Sequence, residues 1–299
     1  MMSYVVARME SSSDPLPERE VRNSPAGGVE ALPNLHSVAT SNTSALEAET
    51  SAVESRSRDG SRVRDYKEFV EVTASVAMNL RPQQMLDFVR RGRRLSAQQR
   101  AAVEAQNTGE SVDDAFDRLQ GNFATPRRAF EGSFKGGAAF VYGTLNGGGA
   151  SLAHSFGYYC CIFDDSLVTQ WDPVFLPGNS LLVYVDSGNV DLAAVGREAG
   201  PYSHRSDVAI LKDRSAIDGW AADWEALLCR EDSFVEVITS SPVEAQSVSA
   251  VRLPKYDYER LWDFITEATL TPVSRVEGEA FSAVLSVVGS LGVPLEMVE

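Results

Sequence analysis

One carboxylate in this chain of 299 residues stands where a carboxylate is costly. Glu236 lies inside the strand-like run Phe234-Val235-Glu236-Val237-Ile238, where a charge loses its hydration unless it is paired or projects into a polar cleft. With the two-residue period of a strand, Phe234, Glu236 and Ile238 share one face and Val235 and Val237 the other. Two readings follow. Either Glu236 is the outward residue of a half-exposed strand, or it is held at the rim of a sheet cleft to stabilise positive charge developing in a transition state. The other titratable residues offer less. His36, His154 and His204 are far apart and lack the H-E-x-x-H type of ligand spacing. His154, beside a glycine-rich segment and just before a strand, either lines a cleft or is an ordinary surface histidine. Cys160 and Cys161 are adjacent and Cys229 is distant, which makes neither a disulfide framework nor the C-x-x-C spacing of a zinc site, so no metal is expected and reduced thiols in a strand core are. No basic partner adjoins these cysteines and no G-x-S-x-G elbow is present, so a nucleophilic hydrolase has no support. The stretch Gly143-Thr144-Leu145-Asn146-Gly147-Gly148-Gly149 lacks both the P-loop pattern and the G-x-G-x-x-G fingerprint and reads as a mobile loop between strands. The cluster Arg90-Arg91-Gly92-Arg93-Arg94 either contacts an anion or, more simply, ends a helix, with Gly92 as its cap and the cations against the negative pole of the dipole.

The elements that must position these residues fall into three materials. Residues 1–63 are rich in Ser, Pro, Thr and Glu without a sustained apolar period, and such a segment cannot offset its ordering entropy by burial, so a disordered tail is expected. It is either a linker or a delivery segment of the kind that needle-type secretion systems accept. Residues 64–120 read as a helical lead. Phe69, Val70, Val72 and Val76, then Met85, Leu86, Phe88 and Val89, recur at helical spacing; Ser96 can cap a second helix and Ser111 to Leu119 forms a third. Residues 121–299 carry short β-branched and aromatic runs, at Ala138 to Tyr142, Tyr158 to Phe163, Leu181 to Val185, Val208 to Leu211, Phe234 to Ile238 and Val248 to Leu253. Helices are expected at Ile217 to Leu228, Tyr256 to Ala268 and Gly278 to Val288. Strands without regular βαβ alternation imply an α+β domain on a mixed, mainly antiparallel sheet.

Composition narrows the partners. With 27 Lys and Arg against 42 Asp and Glu, the net charge is −15, which argues against a nucleic-acid coat or a protein spread over an anionic membrane. No window suits a membrane-spanning helix, the beginning lacks a signal-peptide pattern, and Met2 excludes myristoylation at a second-position glycine. The expectation is a cytoplasmic protein, or one secreted into a host cell without a classical signal peptide.

Four segments, in order over residues 95–253, carry a resemblance. Leu95-Ser96-Ala97-Gln98-Gln99-Arg100-Ala101-Ala102-Val103 matches the leading L-S/T-x-A-Q-R-x-A-L helix of a bacterial family known as a domain of unknown function. Tyr142-Gly143-Thr144-Leu145-Asn146 matches its Y-G-A-L-N, and Ser155-Phe156-Gly157, then Pro177-Gly178-Asn179-Ser180, match its R-F-G strand and G-D-S. Glu236-Val237-Ile238, the turn Thr239 to Pro242 and the run Val248 to Leu253 resemble the catalytic-glutamate strand of the ADP-ribosyltransferase superfamily, to which that family is similar. The resemblance implies a split sheet and a mono-ADP-ribosyltransferase that takes NAD as substrate, without a metal, and modifies a protein or other macromolecular acceptor. It implies Glu236 as the carboxylate holding the nicotinamide ribose, Ser155 as the serine bracing the site, and Tyr142 and Tyr158 as stacking surfaces, with Gly143 beside them. It also implies Arg128, or Arg127, as the grip on the dinucleotide. The chain departs from the pattern in two places. Asn122-Phe123-Ala124-Thr125-Pro126-Arg127-Arg128 stands where the family has N-F-H-P-D-R, and Phe234 stands where arginine-modifying members have Glu or Gln. The first departure leaves open a catalytically inactive interaction module on the same fold; the second disfavours an arginine acceptor.

Overall fold

The computed structural model describes residues 31–298 apart from 149–155, 220–222, 231–232 and 267–270. From residue 34 the expected tail is ordered: α1 (Leu35–Ser41), α2 (Thr43–Arg56) and α3 (Gly60–Val72) follow one another. The expectation of disorder over residues 1–63 is therefore corrected from residue 34 on, and its first thirty residues lie outside the described ones. Asn34 opens α1 by accepting from the Ser37 N–H at 3.0 Å, and Asp59 opens α3 by accepting from Ser61. About one residue per turn, Leu35, Ala39, Leu46 and Val53, is buried. Such a thin stripe makes no strong helical signal; packing rather than propensity holds these helices.

The helical lead is not a separate layer. Between α3 and α4 (Pro82–Arg91) the chain forms β1 (Ser75–Leu80), where a helix through Val76 was expected. A six-residue run buried on both faces cannot be told from a helical segment by its period. Gly92 closes α4 in the left-handed region at φ 71°. Ser96 opens α5 (Ala97–Thr108): its Oγ accepts from Gln99 N–H at 3.2 Å and Gln99 Oε1 accepts from Ser96 N–H at 3.0 Å. Such a reciprocal cap contributes about 1 kcal/mol. Then come α6 (Val112–Gln120) and α7 (Ala124–Gly132).

The remainder supplies most of the sheet. In order come β2 (Val141–Asn146), β3 (Tyr159–Phe163), α8 (Asp165–Val168), β4 (Val174–Leu176), α9 (Ser180–Val183), the hairpin β5 (Val185–Asp186) and β6 (Asn189–Val190), α10 (Leu192–Glu198), β7 (Gly200–Pro201) and α11 (Arg205–Asp213). After these come α12 (Trp224–Leu228), β8 (Cys229–Arg230), β9 (Ser233–Phe234), β10 (Glu236–Thr239), β11 (Val248–Pro254), α13 (Lys255–Thr266), α14 (Pro272–Leu291) and β12 (Leu295–Val298). Eight strands pair in the order β12-β11-β3-β1-β2-β10-β4-β7. All neighbours are antiparallel except β11 and β12. The fold is thus mixed α+β with a mainly antiparallel sheet, but that sheet is one continuous layer rather than split in two. Because β1 pairs with both β2 and β3, the boundary expected at residue 120 dissolves, and the described residues from Leu32 on form one compact unit. Two expected strands are helical. Asn179 caps α9 through the Leu181 N–H, and α11 buries Val208, Ala209, Ile210 and Leu211 in succession, so its continuous apolar run imitates a strand.

Alternation along the strands sets two faces. Val76, Met78 and Leu80 of β1, Val141 and Leu145 of β2, and Val235 and Val237 around β10 enter the main core. On the other face Val174, Leu176 and Ile238 pack with Phe130, Phe134 and Phe140 in a second core. Between that core and the sheet centre the same face turns polar at Asn79, Thr144 and Glu236. Opposite this strip stands the α5–α6 hairpin, packed on a small core of Ala97, Ala101, Ala105, Ala115, Phe116 and Ala124. The space between hairpin and strip is a cleft.

Candidate functional site

Glu236 sits on β10 between β2 and β4, in register with Thr144 and Leu176. Only 5 % of it is exposed, so it is not the outward residue of a half-exposed strand. The backbone N–H of Ser180, at the start of α9, donates to its Oε2 at 2.9 Å. Burial pushes the carboxyl up to about 7, against the downward pull of Ser180 and of the Arg127 charge. It is an acid poised near neutrality, and poised acids of this kind collect at functional clefts.

Glu236, Thr144 and Tyr142 line a cleft of about 520 Å³ that is also lined by Arg81, Arg94, Arg100 and Arg127. The volume is that of an ordinary small-molecule site. Arg127 is clamped from behind: its Nη1 lies 3.2 Å from Glu131 Oε1, the Tyr142 hydroxyl donates to the same oxygen at 3.3 Å, and the guanidinium lies 4.3 Å from the Tyr142 ring centroid. Desolvation holds the Glu131 carboxyl above its usual range, although Arg127 and Tyr142 both favour its charged form. Arg94 and Arg100 have no hydrogen-bond or ion-pair partner for their guanidinium groups among the described residues. Burial depresses both, and the like charges of the cluster depress them further, Arg100 and Arg127 acting on Arg94 and Arg127 and Arg81 on Arg100. A guanidinium remains cationic at pH 7 despite this. Three half-exposed apolar side chains, Leu119, Phe123 and Phe156, rim the opening. Phe156 meets Phe234 edge-on at 6.0 Å.

The residues singled out from sequence divide. Glu236, Arg127, Tyr142 and Gly143 converge on the cleft. Arg128 does not. Neighbours on a helix point about 100° apart, so with Arg127 turned to the sheet, Arg128 turns to α6. There its Nη1 lies 2.5 Å from Asp117 Oδ1 and its guanidinium covers the Phe116 ring at 4.7 Å. Tyr158 is also elsewhere, packed against Tyr159 at 4.8 Å in the field of Glu277 and Arg260. Ser155 and His154 lie outside the described residues. Tyr142 is a poor stacking surface because Arg127 occupies a face of its ring. Gly143 has a steric role: it belongs to β2 rather than to a loop, and a Cβ there would stand 2.7 Å from the carbonyl oxygen of Ala77 on β1. Cys160 and Cys161 are free, buried thiols on opposite faces of β3, and burial raises both above the usual thiol range.

Sequence reasoning missed Arg81, Arg94, Arg100, Phe123 and Phe156. Two carried a signal. Arg94 ends the arginine cluster assigned to a helix terminus, and Arg100 is the arginine of the Leu95 to Val103 motif. Among the described residues no group of three His, Cys, Asp or Glu side chains converges as for a metal, and no helix is long and apolar enough to cross a membrane. No protein-family profile matches the chain, and no curated protein does so either.

Proposed function

We propose that the chain transfers ADP-ribose from NAD, its substrate, to a macromolecular acceptor, with Glu236 as the carboxylate at the reacting centre. The observation that supports this most is the sharing of one cleft by a buried carboxyl and an arginine cluster in a chain of net charge −15. A dinucleotide offers the complementary pair: a pyrophosphate for the arginines and a cationic nicotinamide for the carboxylate. Arg127 lines the same cleft, and its charge favours the ionised form of Glu236. Phe123 and Phe156 at the opening offer flat apolar surfaces for a base.

As the C1′–N bond breaks, its electron pair leaves with nicotinamide and positive charge grows on the ribose. Glu236, already fixed by the Ser180 N–H, needs no reorganisation to meet that charge. The acceptor's nucleophile then bonds to C1′ and loses its proton. An arginine acceptor fits poorly, since Phe234 and Phe156 make that flank apolar. Glu236 binds its proton with a pKa of about 7, and a nicotinamide cation beside it favours the ionised form, so donor binding releases a proton and weakens as the pH falls below 7.

The test compares wild type with Glu236→Ala for NAD consumption and for transfer of labelled ADP-ribose onto a lysate. Loss of a preorganised electrostatic group costs about a hundredfold or more in rate. Equal signals from the two proteins, or none from wild type, refute the proposal.

A further inference from the structure

We propose that Thr144 is the positioning residue of Glu236, its hydroxyl a hydrogen-bond donor held in reserve for the ionised carboxylate. For the reaction this rests on the reading of Glu236 as the carboxylate at the reacting centre; the bond itself does not. Strand register places the two together. Thr144 on β2 stands directly opposite Glu236 on β10, so both side chains leave the same face of the sheet, and both line the cleft. Directly opposed residues of an antiparallel pair have Cβ atoms about 4.5 to 5.5 Å apart, a gap that a threonine hydroxyl and a glutamate carboxyl close between them. Thr144 Oγ1 is buried and finds no hydrogen-bond partner among the described residues, although a buried hydroxyl without one is costly. Thr239, at the other end of β10, donates its own hydroxyl to the Trp171 carbonyl at 2.7 Å.

Ionisation of Glu236 creates the acceptor that this hydroxyl lacks. The Ser180 N–H already donates to Oε2 at 2.9 Å. A carboxylate that has lost its proton is acceptor-only, with about four lone-pair sites over its two oxygens, and a buried one must find further donors among its neighbours. Ser180 of α9 and Arg127 of α7 favour the charged form. Leu176, opposite Glu236 on β4, has nothing to donate. Tyr142 of β2 and Tyr184 after α9 feel the Glu236 charge, and burial keeps both neutral. Their hydroxyls go to Glu131 and Glu198, while that of Thr144 remains uncommitted. Arg81, Arg94 and Arg100 line the same cleft, and the Asp87 charge acts on Arg94 and Arg100.

The experiment follows the carboxyl itself. The full chain is labelled with carbon-13 at its glutamate carboxyls, the Glu236 signal is identified by its loss in Glu236→Gln, and its ionisation midpoint is read by NMR between pH 5 and pH 9. Thr144→Val keeps the shape and removes the hydroxyl. It is expected to raise the midpoint by about one pH unit, the roughly tenfold change in ionisation that a hydrogen bond to a charged group supplies. Thr144→Ser is expected to restore it. Urea unfolding of the same proteins gives a second readout. At pH 5, where Glu236 keeps its proton and the hydroxyl is unused, Thr144→Val is expected to be at least as stable as wild type. By pH 9 it falls behind, because a higher folded midpoint extends the range over which stability is lost as the pH rises. A midpoint unmoved in Thr144→Val, a rise that Thr144→Ser fails to restore, or a stability loss already present at pH 5 overturns the inference. A raised midpoint in a chain whose wild type consumes no NAD leaves it standing and removes the reading of Glu236 as the reacting carboxylate.

Discussion

Replacing Glu236 with glutamine, nearly its isostere, separates what this carboxyl costs the fold from what it does in the cleft. In the folded protein it binds a proton with a pKa of about 7, against the ordinary 4.5. Between those values the folded state holds a proton that the unfolded chain has released, so stability falls as the pH rises through the window. Below pH 4.5 both states are protonated and nothing is lost. Above pH 7 the whole difference is felt, and at about 1.4 kcal/mol per pH unit it amounts to about 3 kcal/mol. At pH 5 the loss is still under about 1 kcal/mol by the same relation. Glutamine cannot ionise, while its carbonyl can still accept from the Ser180 N–H. Glu236→Gln is therefore expected to gain stability relative to wild type as the pH rises, by about 2 to 3 kcal/mol between pH 5 and pH 8. Urea unfolding of both proteins at the two pH values measures it. Any constant offset from the amide cancels in the comparison. A difference that stays flat with pH, or that grows in favour of wild type, refutes the burial argument.

Two further substitutions test the surroundings of the site. Arg127→Met leaves Glu131, 4 % exposed in its side chain, without its ion partner, and is expected to cost about 3 kcal/mol in urea unfolding, with Arg127→Met/Glu131→Gln recovering most of it; a single-mutant loss below about 1 kcal/mol would class the pair with surface bridges. Gly143→Ala puts a Cβ 2.7 Å from the Ala77 carbonyl oxygen and is expected to cost about 1 to 3 kcal/mol by overpacking the β1–β2 contact; an unchanged melting temperature would show that the strands can part at no cost.

Local chemistry explains what was legible before the structure. Ser96 with Gln99 and Gly92 mark helix ends because caps are satisfied within a few residues. Tyr158 to Phe163, Phe234 to Ile238 and Val248 to Leu253 read as strands because β-branched and aromatic residues crowd between turn formers, and β3, β10 and β11 lie there to within a residue or two. Glu236 stood out because a charge between hydrophobes is costly wherever the strand lies. What needed the tertiary structure was every feature decided by a distant partner. β1 is a strand because β2 and β3 flank it, and α11 is a helix although its buried run looks like a strand. α1 and α2 are held by a stripe too thin to register in composition. The cleft belongs to the same class. Arg81, Arg94, Arg100 and Arg127 come from separate elements and meet Glu236 only when the helical hairpin closes over the sheet. Arg127 rather than Arg128 faces it because of one residue of helix phase, about 100°, set by Glu131 and Tyr142 on one side and Asp117 on the other. Residue type and spacing record the cost of a side chain's local setting; which charges share a cavity depends on the path of the chain between them.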